Sequence, residues 1–274
     1  VVHETGAEDV LEHPLFLPIL SAFTRCMESH GYEILLLSEQ FLVAGRSIIS
    51  HAQRRKVDAL LMINSSASMM HTIEQEGNSI PSVSCDALIP AISSVLSDNV
   101  AAARHAVGYL HAKGHRHIAH IAGPKRVFSE SGTERLQGYY MGLKEAGEPV
   151  RSSYIVNAAD WTAQAGYNAM CELLERNLPI TAIFCSADVY VMGLMRACVE
   201  HKIGIPEDIS VIGFDDIPFS RFVHPGITTF AQDVKEIGSQ AALVLLNTID
   251  HKDYRTIIRV PAQLIERESV QDIR

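Results

Sequence analysis

Short apolar runs recur along this chain, each followed by a stretch of helical periodicity, and that alternation restricts the fold more than any other feature. Runs at residues 32–37, 59–63, 82–84, 118–122, 154–157, 182–185 and 211–214 read as strands. Most of them lack a polar face, as a strand covered on both sides of a parallel sheet must. Helical patterns fill the gaps. The first, about 14–30, sets Phe16, Ile19, Leu20, Phe23 and Met27 on one stripe. Others follow at about 47–56, 69–76, 100–113, 131–146, 163–176 and 190–201. Gly31 and Gly114 stop two of them, and Ser131 to Glu134 has the spacing of a capping box. Asp233 to Glu236 repeats that spacing and opens a helix to about Thr248, before two short strands at 257–260 and 263–265. Strand, helix, strand, helix with right-handed crossovers predicts an α/β fold of two Rossmann-like lobes with parallel sheets, divided near Gly123.

Bulk composition narrows the class. With 274 residues and 47% hydrophobic side chains, the chain can fill a large core. Mean hydropathy is only +0.09, and no apolar run approaches the roughly 20 residues of a membrane-spanning helix. No membrane partner and no signal peptide are expected. Val1-Val2 reads as the tail of a strand. Five scattered cysteines without a CxxC pair suit free thiols in a reducing compartment, so a cytoplasmic location is expected. A net charge of −9 argues against these residues gripping nucleic acid by themselves.

The stretch Ser210 to Ser220, SVIGFDDIPFS, carries the sharpest local signal. Its apolar run stops on Asp215 and Asp216, and ligands of open parallel sheets sit just outside the carboxyl ends of strands. The ends of neighbouring runs lead to Arg135, Trp161, Asp188 and Gln232. An indole face, a guanidinium, carboxylates and an amide suit a polyhydroxylated ligand, whose ring stacks while its hydroxyls find donors and acceptors. The bland alternatives are a packed tryptophan, a solvated arginine and aspartates that cap turns. His115, His117 and His120 in GHRHIAH are spaced across a turn and a strand, which disfavours a metal site. With no GxGxxG after a strand, no P-loop and no nucleophile motif, no cofactor is expected. Arg54-Arg55-Lys56 reads as a solvated helix end.

Four segments then resemble one family: DNVAAARHAVGYLHAKGHRHIAHIAGP (98–124), ERLQGYYMGLKEAG (134–147), SADVYVMGLMRACVEHKIGIPEDISVIGFDDIPFSRFVHPGITTF (186–230) and PAQLIERES (261–269). They are similar to the effector-binding core of LacI/GalR transcription repressors, and the likeness covers nearly the whole chain. The resemblance implies the periplasmic-binding-protein type I fold, with a ligand cleft between lobes. It places the N-terminal lobe at 1–122 plus 234–260 and the C-terminal lobe at 123–233 plus 261–274. It implies a homodimer that senses a small sugar-like effector and meets operator DNA only through a helix-turn-helix domain preceding this core. By position, the family's sugar-contact arginine falls on Arg135, its aromatic stacker on Trp161, its cleft aspartate on Asp215 and its crossover glutamine on Gln232. The usual Asn-Asp pair is Ala187-Asp188, which removes one two-way hydrogen-bonding group. In the first lobe, His13-Pro14-Leu15-Phe16 replaces Asn-Pro-Phe-Phe, making His13 and Phe16 the candidates there. The rival readings are a periplasmic sugar-binding protein of an ABC transporter and a glycosidase using Asp188 and Asp215. The expectation is a binding protein, not an enzyme.

Overall fold

The computed structural model describes residues 1–3, 13–38, 47–63, 67–76, 79–85, 87–124, 130–251 and 254–274. They form two compact units, Val1–Ser97 with Asp233–Val260 and Asp98–Gln232 with Pro261–Arg274. The first unit begins with β1 (Val2–His3), α1 (Phe16–Ser29), β2 (Leu37–Ser38) and α2 (Ile48–Arg55). It continues with β3 (Leu60–Ile63), α3 (Ala67–Glu76), β4 (Ser82–Cys85) and β5 (Ser93–Ser97). The second unit runs through α4 (Asn99–Ala112), β6 (Ile118–Ala122), α5 (Glu130–Glu145), β7 (Ile155–Asn157) and α6 (Ala163–Glu175). Then come β8 (Ala182–Cys185), α7 (Asp188–His201), β9 (Ser210–Asp215), α8 (Pro218–Phe222) and β10 (Thr228–Ala231). The chain returns to the first unit for α9 (Val234–Asp250) and β11 (Ile257–Val260), and ends in the second with β12 (Gln263–Ile265).

Among the described residues the first sheet has the order β11-β5-β4-β3-β1-β2 and the second β12-β10-β9-β8-β6-β7. Every pairing is parallel except β10 with β12. No described helix is long and apolar enough to cross a membrane.

The first crossing between units falls at Ser97–Asp98, not at the expected 122/123. Residues 98–122 belong to the second unit because β6 pairs with both β7 and β8 and α4 packs along α5. The later crossings fall at 232/233, one residue before the expected place, and at 260/261. Two other expectations change. Of the run 32–37 only Leu37 enters a strand, because β2 pairs just Leu37 and Ser38 with Val2 and His3 while Leu35 and Leu36 stay exposed. Conversely, SSVLS at β5 is a fully buried strand that its serines disguised. Ser93 Oγ accepts from Thr256 N–H at 3.1 Å, so this polar strand enters the core with its hydroxyl occupied.

Period-two alternation explains the second unit's two cores. Ala119, Ile121, Ile183, Cys185 and Val211 face α6 and α7. Ile118, Ala182, Phe184, Ile212 and Phe214 face α4 and α5. A sheet dressed on both sides gives continuous apolar strands, the pattern seen in sequence. In the first unit, α1 and α9 pack together over β3, β4 and β5. Asp233 Oδ1 accepts from Glu236 N–H at 3.0 Å and caps α9 as its spacing predicted. At the other predicted box, α5 already begins at Glu130, one residue before Ser131.

Candidate functional site

Parallel pairing of β7, β6, β8, β9 and β10 brings their carboxyl ends to one edge of the second unit. Asp215 is the last residue of β9, 8% exposed, and has a φ of +115°. A residue with a Cβ held in that region costs about 1–3 kcal/mol, and such strain concentrates at functional sites. Gln232 Nε2 donates to Asp215 Oδ1 at 2.6 Å, and Arg135 Nη1 stands 3.6 Å from the same oxygen. Burial pushes the Asp215 carboxyl up to about 6, against the opposing pull of Arg135 and Gln232.

Arg135, in the second turn of α5, is itself buried and anchored on two sides. Its Nε donates to Asn99 Oδ1 at 2.9 Å and its Nη1 to the Ser186 carbonyl at 2.5 Å. The guanidinium lies 3.7 Å from the Phe214 ring centroid and 6.0 Å from that of Trp161. Asn99 in turn donates to Glu134 at 2.9 Å, so the fork is oriented by residues on both α4 and α5. Trp161 stacks on Tyr190 with rings 5.3 Å apart and an interplanar angle of 3°. Its indole passes over Gly123, where an added Cβ would come within 2.5 Å of the ring. Tyr190 also donates to the Asp160 carbonyl at 2.9 Å, fixing the loop that carries the tryptophan.

The structure therefore brings Arg135, Trp161, Asp215 and Gln232 together. Asp188 lies beside them but is completely buried, accepting from Ile217 N–H at 3.1 Å, Ser220 Oγ at 2.6 Å and Thr229 Oγ1 at 2.7 Å. Burial and the neighbouring Asp215 charge push its carboxyl up to about 7. Asp216 turns to Arg267, whose Nη2 donates to it at 2.6 Å. His13 and Phe16 belong to the first unit. Phe16 opens α1 within the apolar core, its ring 4.5 Å from that of His13. His13 Nδ1 accepts from Leu15 N–H at 3.2 Å, and burial lowers its pKa to about 4.

The three histidines of GHRHIAH each have separate protein partners. His115 meets Thr181 and the Gln271 carbonyl, and His117 meets the Tyr154 hydroxyl. His120 meets the Phe184 carbonyl and lies between the rings of Tyr139 and Phe184. Among the described residues no cluster of acidic, His or Cys groups could hold a metal. Sequence reading missed Asn99, Phe214, Tyr190 and the Ser186 carbonyl. All four act by orienting Arg135 or Trp161, and only the spatial approach of α4, β9 and α7 reveals them.

Taken together, the edge offers an aromatic face, fixed cationic donors and a carboxylate acceptor, the requirements of a polar ring-shaped ligand. Comparisons with known proteins agree on the fold that carries it. A family model described as a periplasmic binding protein-like domain matches residues 107–270. The transcriptional repressor CytR of Escherichia coli K12 is 34% identical over 241 residues, covering 85% of this chain and 69% of that protein. The transcriptional repressor PurR of Serratia proteamaculans is 33% identical over 268 residues, covering 95% of this chain and 77% of its own length. Among solved structures, a complex of the transcriptional regulator CelR with cellobiose superposes with a TM-score of 0.84 at 26% identity. That alignment covers 98% of this chain and 83% of the regulator.

Proposed function

The chain belongs to the LacI family of transcription repressors as an effector-binding core, and from that premise we propose that it senses a sugar or sugar derivative at the edge formed by Arg135, Trp161, Asp215 and Gln232. The observation that carries the reading is the convergence of three unlike groups. Arg135 lies 3.6 Å from Asp215 and 6.0 Å from the Trp161 ring, although the three are dispersed along the chain. An ionised Asp215 accepts from ligand hydroxyls, Arg135 and Gln232 donate, and Trp161 offers a ring face. Ala187 supplies no polar side chain at the position where the family resemblance leads one to expect an asparagine. Hydroxyl recognition on that side of the ligand is correspondingly poorer.

An effector changes operator affinity only through its differential binding to the conformations of the repressor. Operator contact is proposed to need a helix-turn-helix segment of the kind the relatives are named for, since these residues carry a net charge of −9. Homodimerisation is part of the same proposal and rests on the family resemblance. A cytoplasmic location follows from the same role. The relatives found are repressors, so the periplasmic transport reading is not favoured.

The single tryptophan makes the test direct. The full chain is titrated with D-ribose, cellobiose, sugar acids and sugar phosphates while Trp161 emission is followed. A ligand that raises the melting temperature should also alter that emission. Stabilisation with unchanged emission would overturn the placement of Trp161 in the site, and the same titration of His13→Ala tests the first-unit candidate.

A further inference from the structure

We propose that Asp188, rather than touching the effector, is the positioning residue that sets where β9 ends and hence where Asp215 presents its carboxylate. The proposal rests on the reading of Asp215 as an effector contact. Asp188 stands at the start of α7 and accepts three hydrogen bonds from beyond its own helix. Ile217 N–H and Ser220 Oγ belong to the turn and helix that follow Asp215, and Thr229 Oγ1 to the adjoining strand β10. The carboxylate thus ties the segment that leaves the Asp215–Asp216 bend to strand β10, and both residues of the bend have positive φ. A bend with that strain persists only if its surroundings determine it.

The strand beneath is shaped to admit the carboxylate. A Cβ at Gly213 would come within 2.0 Å of Asp188 Oδ1, so a side chain there and the present Asp188 position exclude each other. With Thr229 held to Asp188, β10 in turn delivers Gln232, which donates to Asp215. One buried carboxylate therefore fixes both the acceptor and its amide partner.

The arrangement has a proton-dependent signature. The titratable and charged groups around it are Asp215 on β9, Cys185 on β8, and Arg135 on α5 next to Asp215, with His120 on β6 beyond Ser186. Of the three donors, Ile217 N–H cannot reverse, whereas the two hydroxyls can. Protonating Asp188 gives it one O–H to donate, so one of the two hydroxyls must turn round and accept, and the hydrogen bonds that hold the bend are no longer charge-assisted. Burial, and after it the charge of Asp215, push the Asp188 carboxyl up to about 7, so Asp188 ionises in the field of Asp215.

The test begins without ligand, on the full chain with aspartate carboxyl carbons labelled for NMR. In the wild type, the Asp215 carboxyl signal should show an inflection at its own ionisation and a second where Asp188 ionises. Asp188→Asn should displace the Asp215 signal and the Arg135 Nε signal and erase the second inflection. Ser220→Ala, which removes one donor, should move that inflection to higher pH. Affinity for whichever of D-ribose and cellobiose binds should fall at least tenfold in Asp188→Asn. An Asp215 titration curve in Asp188→Asn superimposable on the wild type overturns the proposal. Should Asp188→Asn fail to fold, Ser220→Ala decides alone, an unmoved inflection being the contrary result. If Asp215→Ala binds sugars as the wild type does, the effector reading fails instead, and the ligand-free curves still judge the positioning role.

Discussion

Both sheets run their strands in one order, with β1 to β5 and β11 of the first unit corresponding to β6 to β10 and β12 of the second. Their buried polar groups nevertheless differ in kind. The first unit buries hydroxyls, at Ser82, Ser84, Ser93, Ser94 and Ser97; the second buries hydroxyls as well, such as Ser210, Ser220 and Thr229, and adds Asp188, Asp215, Arg135 and His120. A hydroxyl is satisfied by a single backbone group, as Ser82 is by the Ile80 carbonyl. A buried charge needs a partner and further hydrogen bonds to offset the loss of water. The difference shows that a shared strand order fixes where strand ends lie, while the chemistry placed there is chosen unit by unit.

The largest effect should come from Asp215→Ala, which removes an acceptor of charge-assisted hydrogen bonds worth about 1.5–3 kcal/mol each. Effector affinity in the Trp161 titration should fall about a hundredfold while far-ultraviolet circular dichroism stays unchanged. Unchanged affinity would erase the functional contrast between the units. Arg135→Lys sharpens it further. An ammonium cannot donate to Asn99 and the Ser186 carbonyl with the same fork, so a loss of about tenfold to a hundredfold is expected, checked by the same titration.

Next in size is the response of stability to acid. Burial holds the His120 pKa at about 4, below the ordinary 6.5, so the folded state favours the neutral ring. Its contribution is complete above pH 6.5 and is lost as pH falls towards 4, about 3 kcal/mol at most. Over that window the melting temperature of the wild type should fall relative to that of His120→Phe. Asp188 and Asp215 act in the opposite sense, because their raised pKa values make burial costlier as pH rises from about 4 to 7. An equal acid response in His120→Phe would remove this ring from the account. The smallest effect belongs to the first unit. Ser93→Ala leaves Thr256 N–H without its acceptor and should cost about 1–2 kcal/mol, a few degrees of melting temperature, with effector affinity unaltered. A change in affinity there would break the contrast from the other side.

Much of this was readable from the chain alone. Strands buried on both faces must be apolar throughout, and amphipathic helices must show their stripe, so β3, β6, β8, β9 and α1 announce themselves through short-range chemistry. The end of β9 on Asp215 is equally local, and family likeness pointed to Arg135 and Trp161. What escaped depends on pairing between distant segments. β5 is a strand because β4 and β11 bind its backbone, and its serines give no hint of that. The first crossing moved from 122/123 to 97/98 because β6 joins the sheet of β7 and β8. Only the folded chain decides that Asp188 faces Ile217, Ser220 and Thr229 while Asp215 faces Arg135 and Gln232. Residue type tells what a carboxylate can accept; which donors reach it is set by contacts between segments dozens of residues apart.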